Sequence, residues 1–161
     1  MDYHCLGTQK NKLSFDYEPS IEIKSEHPLL WEYNDRQCQL YFHGQCEDVP
    51  KLFYDLYAIH KANFDHYKCF NISFGEGTRY FKPFHYSNGL LTEGSKKLML
   101  EYGECLKHNG LNFSILAERP ASYWDGEKYI PETGDLKVLF FGKGFIIAKD
   151  FAFVRQEKNS R

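Results

Sequence analysis

The sequence predicts an α+β fold: an antiparallel or mixed sheet with two helices packed on one face, in a single compact domain. Three observations carry this. Period-two runs of apolar residues cluster toward both ends of the chain, two stripes of helical period lie between them, and no repeat, low-complexity tract or Pro/Gly/Ser linker divides the sequence. At 161 residues one domain is the default, and a chain this long buries roughly 70% of its unfolded surface without staples.

The elements follow in order. Residues 1–19 are polar and weakly patterned and are expected to be peripheral or loose, as are 155–161. Ile21 and Ile23 alternate with Glu22 and Lys24, a short strand. Leu29, Trp31 and Tyr33 alternate again before Asn34-Asp35, and Cys38, Leu40 and Phe42 alternate after it. Two such runs around an Asn/Asp turn predict a β-hairpin, with Cys38, Leu40 and Phe42 inward and the glutamines and His43 outward. From Glu47 the period changes. Val49, Leu52, Phe53, Leu56 and Ile59 or His60 share one helical face to about Ala62, with Asp48 as cap, Pro50 in the first turn and His60 at the core edge.

Cys69, Asn71 and Ser73 alternate with Phe70, Ile72 and Phe74 and predict a central strand ended by Gly75-Glu76-Gly77; a long loop then runs to Gly89. Thr92 is read as opening a second helix with the stripe Leu98, Met99, Tyr102, Cys105 and Leu106. Asn109-Gly110 would cap it and Leu111 would close the motif. Phe113 and Ile115 mark a strand, and Arg119 to Asp135 read as a second long loop. Leu136 to Phe141 and Phe145 to Val154 form a closing hairpin around Gly142-Lys143-Gly144, with a bend at Lys149-Asp150.

Composition removes several function classes. Twenty Lys+Arg against 22 Asp+Glu leave a formal charge of −2, without the basic excess that a phosphate-backbone binder needs. Arg79, Tyr80, Phe81, Lys82, Phe84 and His85 interleave as a single-strand platform would, but no basic field supports them, so nucleic acid is not an expected partner. No apolar run reaches the ~18–20 residues of a membrane span, and the stretch to Asn11 has no basic and apolar regions of a secretory signal. A cytoplasmic setting is expected, with the five scattered cysteines reduced.

No phosphate-loop, kinase, metalloprotease or serine-hydrolase motif occurs. Cysteine spacing fails the zinc patterns, and a site assembled from Cys38, His43, Cys46, His66 and Cys69 would require the fold to gather them. No metal or cofactor is expected. Cys46, ahead of the first helix, is a candidate nucleophile with His43 or His66 as base. Glu47 and Asp48 beside it oppose a thiolate, so a structural thiol is the expectation.

The two long segments are the functional candidates, because loops without regular structure tend to carry function. With 12 Tyr, 14 Phe and 2 Trp the chain is rich in the rings that dominate protein interfaces. Tyr80, His85, Tyr86, Tyr123 and Trp124 are the expected contact residues, with Asp125 and Glu127 available to complement a basic partner. The expectation is a protein-binding module, of the toxin-neutralising immunity or regulatory kind. The alternatives are a small hydrolase or transferase using Glu76, His85, Asp125 and Arg79 in a cleft, with Glu118, Glu127, Glu132 and Asp135 as further loop acids, and a structural subunit of a Tyr-rich assembly.

Overall fold

In chain order the elements are β1 (Asp2–Leu6), β2 (Lys10–Lys12), β3 (Ile21–Lys24), a 3-10 turn (Pro28–Leu30), α1 (Trp31–Asn34), β4 (Gln37–His43), α2 (Val49–Phe64), β5 (Asn88–Ser95), α3 (Lys96–His108), β6 (Asn112–Arg119), β7 (Ser122–Trp124), β8 (Tyr129–Pro131), β9 (Lys137–Phe141), β10 (Gly144–Ala148) and β11 (Asp150–Val154). This computed structural model describes residues 2–6, 10–12, 21–70, 87–132 and 134–154; for 2–6, 10–12, 153 and 154 it describes backbone alone. The fold is α+β, with helices and antiparallel sheets as the sequence predicts. Contacts group the chain into two units, Met1–Leu30 with Thr133–Arg161, and Trp31–Glu132.

The first unit is built on the apolar run from Leu136 to Ala148. β9 and β10 pair around the turn at Gly142 and Lys143 as the centre of a four-stranded sheet, β2-β10-β9-β3. Val138, Leu139 and Phe140 are buried in succession, which places both faces of β9 out of water. A bend at Lys149 turns the chain into β11, which pairs with β1 from Asp2↔Val154 to Leu6↔Asp150. Residues 2–6 and 10–12, which the sequence reading left as peripheral, are paired along the backbone with β11 and β10.

The second unit centres on β4, the middle strand of the sheet β5-β4-β6. Cys38, Leu40 and Phe42 are buried while His43 is exposed and Gln37 and Gln39 are half-buried, the alternation that the sequence predicts. α3 lies against all three strands and α2 packs along α3. α2 starts where expected: Asp48 accepts from the Lys51 N–H at 2.9 Å, and Pro50 sits in the first turn. α3 buries Leu98, Met99, Tyr102, Cys105 and Leu106. It ends as expected at Asn109 and Gly110 (φ 80°), with the Leu111 N–H returning to the Leu106 carbonyl.

Two expectations are corrected. Leu29, Trp31 and Tyr33 do not form a strand; they lie in the 3-10 turn and α1. Leu29 and Leu30 are both buried in the 3-10 turn, and the Gln37 side-chain amide donates to the carbonyls of Trp31, Glu32 and Asp35, holding the helical turn closed. Nor does Thr92 open the second helix. Asn88–Ser95 is a strand paired along β4, and Ser95 caps α3, with the Asp35 carboxylate accepting from the Lys97 N–H at 2.8 Å. Gly89 and Gly94 of this strand sit where an added Cβ would stand 3.2 Å from the Phe42 ring and the Met99 methyl respectively. Of the expected strand from Cys69 to Phe74, the described residues Cys69 and Phe70 are not in a strand, Phe70 being helical; the rest of it and most of the first long loop fall on 71–86, outside the described residues.

His60 links α2 to the rest of its unit. It is 1% exposed, its Nδ1 lies 2.9 Å from the Tyr102 hydroxyl and its Nε2 3.0 Å from the Lys68 carbonyl. A carbonyl only accepts, so Nε2 carries the proton and Nδ1 accepts from Tyr102. Burial holds the ring below its ordinary pKa; the hydrogen bond to the Lys68 carbonyl opposes this, and the Lys68 charge adds a smaller push downward. The neutral ring therefore contributes stability in full above the unfolded value of about 6.5, and loses it as pH falls below that. Thermal melts should show Tm falling between pH 7.5 and pH 5.5, with a limiting slope of about 1.4 kcal/mol per pH unit from this site. His60→Gln, which cannot titrate, should melt lower at pH 7.5 and lose less on acidification, the remaining loss reflecting His27, whose pKa burial and Lys24 also depress. An unchanged acid slope in the variant would contradict this assignment.

Candidate functional site

From β6 the chain passes Pro120 and enters a short hairpin. Ala121 is buried at its base, where its carbonyl accepts the Glu132 N–H at 2.9 Å. β7 and β8 pair as Ser122↔Pro131, Tyr123↔Ile130 and Trp124↔Tyr129. Alternation then sorts the side chains. Tyr123 and Ile130 take the half-buried face. Trp124 and Tyr129 take the opposite face and are 56% and 72% exposed. Their ring centroids stand 5.2 Å apart at 64° between planes, an edge-to-face pair across the strands.

The loop joining them is fixed by one carboxylate. Asp125 Oδ1 accepts from the Glu127 N–H at 2.8 Å and the Lys128 N–H at 2.7 Å, and the Asp125 N–H donates to the Lys128 carbonyl at 3.1 Å. Gly126 has φ 113°, a conformation side chains rarely adopt. Those N–H groups hold the Asp125 carboxyl below the usual carboxylate range, so it is ionised at neutral pH. At the other end of the hairpin, a cleft of about 170 Å³ separates Pro120, Ala121 and Glu132 from the end of α1, including Tyr33 and Arg36. Burial, Glu32 and Glu132 push the Tyr33 hydroxyl up to about 12, leaving it neutral.

The expected second long loop, Arg119 to Asp135, is thus corrected: Ser122–Pro131 is an ordered hairpin. Of the contact residues read from the sequence, it brings together Trp124, Asp125 and Glu127 near the tip, with Tyr123 on the half-buried face. Tyr129 was missed as a site residue. Asp125-Gly126 between two aromatic runs signals a turn, but a two-residue Asp-Gly turn would set Trp124 opposite Glu127; the loop is the four residues 125–128, and that length sets Trp124 opposite Tyr129. Tyr80, His85 and Tyr86, with Glu76 and Arg79, lie outside the described residues.

The remaining candidates have other engagements. Glu118 pairs with Arg36 and with Lys96, and Asp125 holds its turn. His43 Nε2 lies 3.0 Å from Ser114 Oγ, and His66 Nδ1 lies 2.8 Å from Asp65, so the two bases considered for Cys46 each have another polar partner. Cys46 is half-buried between β4 and α2. Cys38 and Cys105 are buried, and desolvation raises both thiols, Cys105 to about 11. Among the described residues no group of three or more His, Cys, Asp or Glu is placed to hold a metal ion, and no helix is long and apolar enough to cross a membrane.

Comparison with known proteins finds no matching family model, no matching curated protein and no matching solved structure.

The turn geometry has a direct check. Asp125→Ala removes the acceptor for two N–H groups, and amide exchange at Glu127 and Lys128 should rise at least tenfold. Asp125→Asn keeps a side-chain carbonyl oxygen and should retain most of the protection. Equal exchange in all three proteins would show that the carboxylate does not order the turn.

Proposed function

We propose that this chain is a protein-binding module whose contact surface is the exposed face of the hairpin Ser122–Pro131. The observation that supports it most is the pair Trp124 and Tyr129, two large rings left mainly in water on a short hairpin closed at both ends. Trp and Tyr are the residue types most enriched at interface hot spots, because each adds a large contact area with only two side-chain torsions to order. The turn and the base pairing fix the backbone in advance, which removes part of the ordering cost of association. Acid–base hydrolysis has less support: the Asp125 carboxylate is ionised and committed to the turn, so it makes a poor proton donor.

The test uses affinity capture from the source cell with wild-type protein and with the double variant Trp124→Ala/Tyr129→Ala, checked by circular dichroism for an unchanged fold. A protein recovered by the wild type is purified and its Kd measured against both. Loss of about thirtyfold or more in the variant, the ~2 kcal/mol of a hot spot, is the expected result. Equal affinity for the two proteins would overturn the reading.

A further inference from the structure

We infer that the Trp124–Tyr129 corner receives an arginine side chain from the partner, an inference that rests on the hairpin being the contact surface. Three observations carry it. The first is how this chain treats its own rings. Lys24, Lys68, Lys97 and Lys107 place their ammonium groups 5.0–5.9 Å from the ring centroids of Phe140, Phe64, Trp31 and Phe113 respectively. Among the described residues no cation lies over Trp124 or Tyr129, although both rings are more than half exposed. Lys128, the cation of the adjoining turn, gives its backbone groups to Asp125 and its ammonium takes neither ring.

The second observation is geometric. Two rings at 64° with centroids 5.2 Å apart form a corner of two π-surfaces. A planar guanidinium can stack on one surface while its N–H groups point outward along the edge, a fit that a compact ammonium lacks. Trp is also the ring with the strongest attraction for a cation.

The third is charge. Asp125 and Glu127 lie in the loop 125–128 that joins Trp124 to Tyr129, both exposed, with Lys128 as the one cation of that loop. Asp125 is kept ionised by the two N–H groups of its own turn, so it stays negative while its Oδ1 serves the backbone. A guanidinium stacked on the rings meets these carboxylates with its N–H fork, and charge-assisted bonds of that kind are the strong ones. The hairpin tip thus pairs a π-surface with anionic acceptors, whose complement is an arginine-bearing segment rather than an apolar or acidic one.

The experiment titrates the full-length protein with a tetra-arginine peptide, acetylated and amidated at its ends, while recording amide and indole N–H resonances. The matching tetra-citrulline peptide serves as the uncharged isostere. Saturable shifts of the Trp124 indole N–H and of residues 122–131, absent with the citrulline peptide, are expected. The variant Asp125→Asn/Glu127→Gln, which keeps the rings and an acceptor oxygen for the turn, should bind at least tenfold more weakly and show a smaller salt dependence. Shifts centred elsewhere, equal shifts with citrulline, undiminished binding by the charge-neutral variant, or no binding at all would each overturn the inference. Failure here is separable from failure of the hairpin reading. A captured partner that loses affinity with Trp124→Ala/Tyr129→Ala but binds Asp125→Asn/Glu127→Gln as tightly as wild type would leave the hairpin as the surface and remove arginine as its ligand.

Discussion

Everything proposed for this protein depends on strand alternation in a hairpin only a few residues long. With Tyr123 paired to Ile130 and Trp124 to Tyr129, one pair must face the half-buried side and the other must face water. A one-residue slip would exchange them. Two contacts prevent the slip: the Ala121–Glu132 backbone bond at the base and the Asp125 carboxylate in the turn. Holding Trp124 and Tyr129 outward leaves unused a hydrophobic gain on the order of a few kcal/mol, at about 25 cal/mol per Å² of apolar surface. Burial against another protein would recover it.

Behind the hairpin stands a graded support. β6 delivers the chain to Pro120, and β6 is itself paired along β4, whose Leu40 and Phe42 are fully buried. α3 covers those strands, and at its Gly103 an added Cβ would stand 2.5 Å from the Phe113 ring of β6. His60 then ties α2 to α3 through Tyr102. The start of α3 is fastened to the end of α1 by Asp35, and Glu118 near the end of β6 joins Arg36 and Lys96. Ion pairs of this exposed kind add little stability singly. Their value is positional, since they gather the end of α1, the start of α3 and the strand that leads into the hairpin.

Much of this was legible in the residues themselves. α2 and the stripe of α3 follow from apolar spacing and from side-chain caps, both local properties, and β9-Gly-β10 follows from two apolar runs around a glycine turn. Elements set by side-chain caps or strand partners that carry no periodic signal were not. Trp31–Asn34 became helical because Gln37 caps its carbonyls, and Leu29 and Tyr33 at period two carry no trace of that. Asn88–Ser95, read as the end of a loop to Gly89 and the start of a helix from Thr92, is a strand because β4 lies beside it, and its Gly89 and Gly94 are where the Phe42 ring and Met99 come close to the backbone. β1 and β2 show the same dependence, being polar segments captured by the edges of β11 and β10. At the site, the residue types Trp124, Asp125 and Glu127 were readable, while the place of Tyr129 depends on a four-residue loop, 125–128, where Asp125-Gly126 alone suggests a two-residue turn.

The most direct test of the central claim is the pattern of nuclear Overhauser effects among aromatic side chains in the free protein. If the hairpin holds its rings ready before any partner arrives, strong cross-peaks should join the Trp124 indole to the Tyr129 ring protons, with Tyr123 correlated to Ile130 and not to Trp124. Absent Trp124–Tyr129 cross-peaks, together with random-coil shifts over residues 122–131, would contradict a preformed surface, and the functional account would fall with it.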